Sequence, residues 1–203
     1  MSDFQEKVKE KIRQYSNEQY LDGYIKNEFL TEDGDADIFL RIHNAYEVFD
    51  SRTAGHQLDV HKSIYDFINH KMAMLDNDVP INLHFLGYHF TDHEQGMIRH
   101  IMKEHYAIEL YKTQKKFNTL KNKIFGLVLL GIVSFALYSF VYFLKDFNYL
   151  VEVFGFLFTF SLWEAMDRFI YVLSEVRSER EAITQALLMN IDFDSEEEPE
   201  EDI

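Results

Sequence analysis

The chain contains no cysteine. Disulfides, thiolate metal sites and thiol nucleophiles are therefore excluded. Proline occurs only twice and tryptophan once in 203 residues. There is no glycine-rich phosphate loop, Walker-type lysine or G-x-S-x-G elbow, and no repeat recurs at solenoid periods. Positive charge is scarce: 20 Lys and Arg stand against 35 Asp and Glu, a formal net charge of −15. A phosphate backbone would be repelled on average, so no nucleic-acid partner is expected.

What the chain does have is one intensely apolar stretch, which the mean hydropathy of −0.26 conceals by averaging. Residues 124–144, IFGLVLLGIVSFALYSFVYFL, run 21 positions without a charge. At about 1.5 Å per residue such a helix spans roughly the 30 Å hydrocarbon core of a bilayer. A protein of 203 residues has little interior in which to surround so apolar a helix, so a membrane span is expected. After Lys145-Asp146-Phe147-Asn148 a second apolar stretch, YLVEVFGFLFTFSLW, is interrupted by Glu152 and ended by Glu164. So short a connection returns the chain alongside itself, giving a hairpin with spans near 124–144 and 149–169. Phe154, Phe156, Phe158 and Phe160 alternate with a strand-like period. A lone strand in lipid would leave its backbone groups unpaired, so a helix is expected there too.

Orientation follows from the bases. Lys112, Lys115, Lys116, Lys121 and Lys123 precede the first span, Arg168, Arg177 and Arg180 lie at or beyond the end of the second, and the connection holds only Lys145. Segment 92–146 is the only net-basic part of the chain, with eight bases against five acids. The positive-inside rule then predicts a multi-pass protein of the cell membrane with both termini cytoplasmic. The opening residues MSDFQEKVKEKIRQY lack the pattern of a cleavable signal, so the first span is expected to act as its own targeting signal.

The remainder reads as helical, which makes the expected fold all-α. Thr91-Asp92-His93-Glu94 has the capping-box form. Met97, Ile98, Ile101, Met102, Ile108 and Tyr111 follow near helical spacing, predicting a helix continuous with the first span. Residues 164–191 keep an apolar line from Phe169 to Ile191. The two extensions are expected to pack as a coiled-coil-like cytoplasmic stalk, so that residues 92–191 comprise stalk and hairpin. Residues 1–91 are expected to form a helical cytoplasmic domain, with helices near 2–20, 37–49 and 58–75. Pro80 closes that set, and residues 81–90 form an extended connector. Residues 192–203, DFDSEEEPEEDI, are expected to be an acidic disordered tail.

Placed at about 100° per residue, Ser161, Glu164, Asp167, Arg168, Tyr171, Ser174 and Glu175 share one sector of the return helix. Ionisable groups near the hydrocarbon boundary face a bundle interior or a wet cavity more often than lipid. The stripe is therefore a candidate pore-lining or inter-subunit surface of a homo-oligomer. The alternative is a local pair, Glu164 with Arg168 at i,i+4. Gly155/Thr159 and Ser161/Ala165 are small-xxx-small pairs that permit close helix contact.

All nine histidines lie between residues 43 and 105. His93 and His100 share a face, but about 10.5 Å of helical rise separates them, too far for one zinc to bridge. His100 with Glu104 could supply two ligands and His84 or His89 a third. Ordinary polar-face histidines account for the same pattern, so neither metal nor cofactor is expected.

Arg99 and His105, separated by five residues, resemble the R-x4-6-H motif of HEPN ribonucleases over a seven-residue stretch. The resemblance implies an arginine and a histidine handling phosphate and proton, usually across a dimer. The overall layout is similar to the small two-span effectors with which prokaryotic defence systems compromise their own membrane. Three functions follow as expectations. The foremost is a non-enzymatic oligomeric membrane effector coupling a cytoplasmic signal to a membrane response. The others are a membrane-anchored scaffold that recruits a protein through residues 1–91 or the acidic tail, and a membrane-tethered ribonuclease.

Overall fold

The structure, a computed structural model, describes residues 30–31, 34–50, 53, 58–144 and 148–194. The helix expected over 2–20, the hairpin connection 145–147 and the chain beyond residue 194 lie outside the described residues. The protein is mostly helical. In order its elements are β1 (Ala36–Arg41), a 3-10 turn (Ala45–Glu47), α1 (Lys62–Met72), β2 (Ile81–Leu86) and α2 (Asp92–Leu144). Then come α3 (Asn148–Asp167), a π-helical turn (Arg168–Val172), α4 (Leu173–Leu188) and β3 (Asn190–Asp194). The chain divides into two compact units, residues 1–106 with 184–203, and residues 107–183.

The first unit is built on a three-stranded parallel sheet of order β1-β2-β3, which corrects the all-α expectation. Residues 37–49 do not form a helix. Ala36 and Ile38 are buried while Asp37 and Phe39 point the other way, and β1 pairs with β2 from Ala36–Ile81 to Arg41–Leu86. Ile38, Ile42 and Val48 are buried at spacings that also suit a helix, so local periodicity misleads here. Pairing with β2, a contact remote in sequence, decides for the strand. The extended stretch expected over 81–90 is a strand over Ile81–Leu86.

The core of this unit joins Ile38, Leu83, Phe85 and Ile191 of the sheet to Ile64 and Ile68 of α1 and Ile98 and Met102 of α2. Helix α1 is shorter than the expected 58–75, because the His61 ring accepts from the Ser63 N–H at 3.3 Å and so caps its start. Helix α2 begins with the expected capping box. Thr91 N–H and Oγ1–H donate to Glu94 Oε2 at 2.9 and 2.8 Å, and the Glu94 N–H donates back to Thr91 Oγ1 at 3.3 Å. Between β2 and α2, Gly87 has φ +90°, and a Cβ there would stand 3.0 Å from the Ile42 carbonyl. Only glycine satisfies both conditions.

The expected tail boundary is also corrected. The return helix ends at Leu188, and Asp192, Phe193 and Asp194 belong to β3. Ile191 is buried, Phe193 stacks on Phe85 at 5.1 Å, and Arg99 Nε donates to the Ile191 carbonyl at 3.1 Å. Those apolar partners hold the start of the acidic run in the sheet. Parallel neighbours need a crossover connection, and here residues 87–189, including every residue of the hairpin, fill it.

The second unit pairs α2 antiparallel with α3, the π turn and α4. Phe135 meets Phe158 at 5.1 Å between ring centroids, and Gly155 lies against Tyr138. Nearer the outer ends, Thr113 Oγ1 donates to Glu179 Oε1 at 3.3 Å and Arg180 lies 4.7 Å from the Phe117 ring centroid. Helices α2 and α3–α4 are both long and apolar enough to cross a membrane.

Candidate functional site in the helical hairpin

The hairpin has a tight inner seam and an apolar outer surface. Along the seam the buried residues are small or branched: Thr113, Leu120, Gly131, Ser134 and Val141 on α2, Ser161 and Ala165 on α3, and Val176 on α4. A Cβ on Gly131 would stand 3.1 Å from Leu162 Cδ2, so glycine sets how closely the helices approach. Beside the seam, Phe135, Tyr138, Gly155, Phe158 and Thr159 line an open cleft of about 340 Å³.

Outside the seam the apolar side chains point away from the protein. Phe125 is 70% exposed, Phe143 81% and Trp163 71%. Only 17% and 11% of the most apolar windows of the two helices are buried. A soluble core helix would be buried on nearly all sides, and a contiguous apolar surface of this extent is foreign to a monomer in water.

The residues of the proposed stripe divide among different environments. Ser161 is fully buried in the seam opposite Gly131, and its hydroxyl has no hydrogen-bond partner. Glu164 and Arg168 form the local pair, with Nη2 and Nε donating to Oε1 at 2.6 and 2.8 Å. Both side chains stay about one-third exposed. Asp167 and Tyr171 are exposed. The stripe is thus a seam hydroxyl, a self-satisfied ion pair and an outward carboxylate. The π turn begins at Arg168 and includes Tyr171. Of the small-residue pairs, Ser161/Ala165 is buried in the seam, whereas Thr159 is exposed and its hydroxyl donates to the Gly155 carbonyl at 3.0 Å.

Arg99 and His105 are not brought together. The Arg99 guanidinium lies 4.9 Å from the Phe193 ring centroid besides bonding Ile191. The His105 ring stacks on Tyr65 at 3.8 Å. Six positions apart on a helix, they point about 120° from each other, one toward β3 and one toward α1. Beneath His105, burial and then the Asp59 carboxylate raise the Tyr65 hydroxyl far above its ordinary pKa, and Asp59 accepts from it at 3.0 Å.

His100 and Glu104 approach to 3.9 Å. Among the described residues no three His, Asp or Glu side chains converge as metal ligands do. Sequence reasoning missed a polar cluster across the outward face of the sheet. His84 Nδ1 lies 2.9 Å from Asp194 Oδ2, its Nε2 lies 3.6 Å from Asp37 Oδ1, and Asn82 donates to that same Asp37 oxygen at 3.0 Å. The signal was present as a period of two in Asn82-x-His84 and Asp192-x-Asp194, but it has meaning only once the strands are paired.

Comparison of the chain with protein-family models, curated proteins and solved structures gives no match.

Proposed function

We propose that the protein is a multi-pass membrane protein whose hairpin lies in the cell membrane, self-associates, and couples a cytoplasmic signal or partner to a membrane response. The observation that carries this reading is the outward apolar surface of both long helices, which needs lipid or other hairpins as its solvent. The sheet supports a same-side topology. Residues 87–189 leave β2 and return to β3, which pair side by side from Asn82–Asn190 to Leu86–Asp194. A chain that ends in one sheet must re-emerge where it entered. The excess of bases around both flanks of the hairpin favours the cytoplasm as that compartment.

A single hairpin has no room for a polar path, because its seam is filled. Any path for ions requires several copies, with Asp167 and the exposed edges of Glu164 and Arg168 between them. In the test, the full-length protein should sediment with membranes and be released only by detergent; recovery in the detergent-free supernatant overturns the reading. In proteoliposomes, Glu164→Leu with Arg168→Leu should abolish ion flux while insertion persists. Unchanged flux removes the stripe from the mechanism.

A second reading, a membrane-anchored scaffold, is favoured by the outward face of the sheet. There the exposed Phe39 ring stacks on His84 beside Asp37 and Asp194. A partner captured by the full chain and lost on Phe39→Ser would support that role.

A further inference from the structure

The bases flanking the apolar run fall into two groups. Lys112 pairs with Glu109 at 2.9 Å, Lys116 with Glu179 at 2.8 Å, Arg177 with Glu181 at 2.9 Å and Arg168 with Glu164 at 2.6 Å. On α2 beyond Tyr106, Lys115, Lys121 and Lys123 have no carboxylate partner among the described residues, although acids outnumber bases by 35 to 20. Lys115 lies more than two turns before the run. Lys121 and Lys123 stand in the last turn before it, and both are exposed. Two positions apart, they point to nearly opposite sides of the helix, so they form a collar.

The pairings of Gly131 with Leu162 and of Thr113 with Glu179 bracket this turn and place it opposite the π turn. The exposed rings of Phe125 and Tyr171 therefore lie at the level of the two lysines. Lys121 lies over the Phe117 ring at 5.5 Å, yet neither ammonium meets a carboxylate; such groups at the level of outward aromatic rings, at the end of an apolar run, are the chemistry of a bilayer headgroup layer.

We propose that Lys121 and Lys123 bind the phosphate groups of anionic phospholipids, with Phe125 and Tyr171 seated at the same interfacial level; this rests on reading residues 124–144 as a membrane span. An RNA or an acidic protein would be repelled by a chain of net charge −15. Lipid phosphate is the anion that the bilayer itself delivers to this position.

The test compares retention of phosphatidylglycerol and phosphatidylcholine by the full-length protein in neutral detergent, measured by native mass spectrometry. The wild type should prefer phosphatidylglycerol, and Lys121→Gln and Lys123→Gln should each reduce that preference by about fivefold. Lys112→Gln, whose charge Glu109 already meets, should leave it unchanged. Equal retention of both lipids by the wild type, or an equal loss in Lys112→Gln, overturns the proposal. So does full displacement of the lipid by excess inorganic phosphate. A protein that sediments with membranes but shows no lipid preference fails only here, whereas one that stays in the supernatant fails the membrane reading itself.

Discussion

A Cβ on Gly131 would stand 3.7 Å from the Cβ of Ser161. That separation falls within the range of about 3.5–4.5 Å that a disulfide spans, and the natural chain has no cysteine to compete. Gly131→Cys with Ser161→Cys should therefore cross-link within one chain on mild oxidation. Mass spectrometry of the denatured protein would read the bond; dimers without any internal link would overturn the seam.

The Glu164–Arg168 pair is partly exposed, which limits its worth. A double-mutant cycle with Glu164→Gln and Arg168→Gln should give a coupling of about 0.5–1 kcal/mol in chemical unfolding of the solubilised protein. Zero coupling would mean that the two side chains act independently.

Arg99 holds β3 through the Ile191 carbonyl and the Phe193 ring. Arg99→Ala should cost about 1–3 kcal/mol of stability. Arg99→Lys should restore little, since lysine has no Nε–H at the geometry of that bond. Thermal unfolding of both variants decides the matter, and an unchanged midpoint for Arg99→Ala would refute this structural role.

The capping box makes the start of α2 sensitive to acid. Hydrogen bonds from the Thr91 backbone and side chain hold the Glu94 carboxyl below its ordinary 4.5. A depressed folded-state pKa stabilises above the ordinary value, and the contribution is lost as pH falls through the depressed one. Measured against their intrinsic exchange rates, the amides at residues 92–96 should lose protection below about pH 4.5 in the wild type. Glu94→Gln, whose amide oxygen can still accept from Thr91 but does not titrate, should show no such step.

The capping box, the long helix behind it and the two apolar runs were legible in the sequence because each depends on neighbours within one or two helical turns. Pairing between distant residues was not. The strand over Ala36–Arg41 hides behind a spacing that fits helix and strand alike, and its partner lies some 45 positions away. In the candidate site, sequence arithmetic put Glu164 and Arg168 one turn apart, where they do pair. It could not say that Ser161 turns into the seam, because only Gly131 on the opposing helix makes that space.

The sequence by itself determined where water is unwelcome, since hydrophobic length and missing charge are properties of a linear run. Tertiary structure alone decided that the run is an insertion between two adjacent strands, with Ile191 and Phe193 returning to close a sheet begun at Ala36. Parallel pairing has no local signature; it exists only when the intervening chain has already turned back.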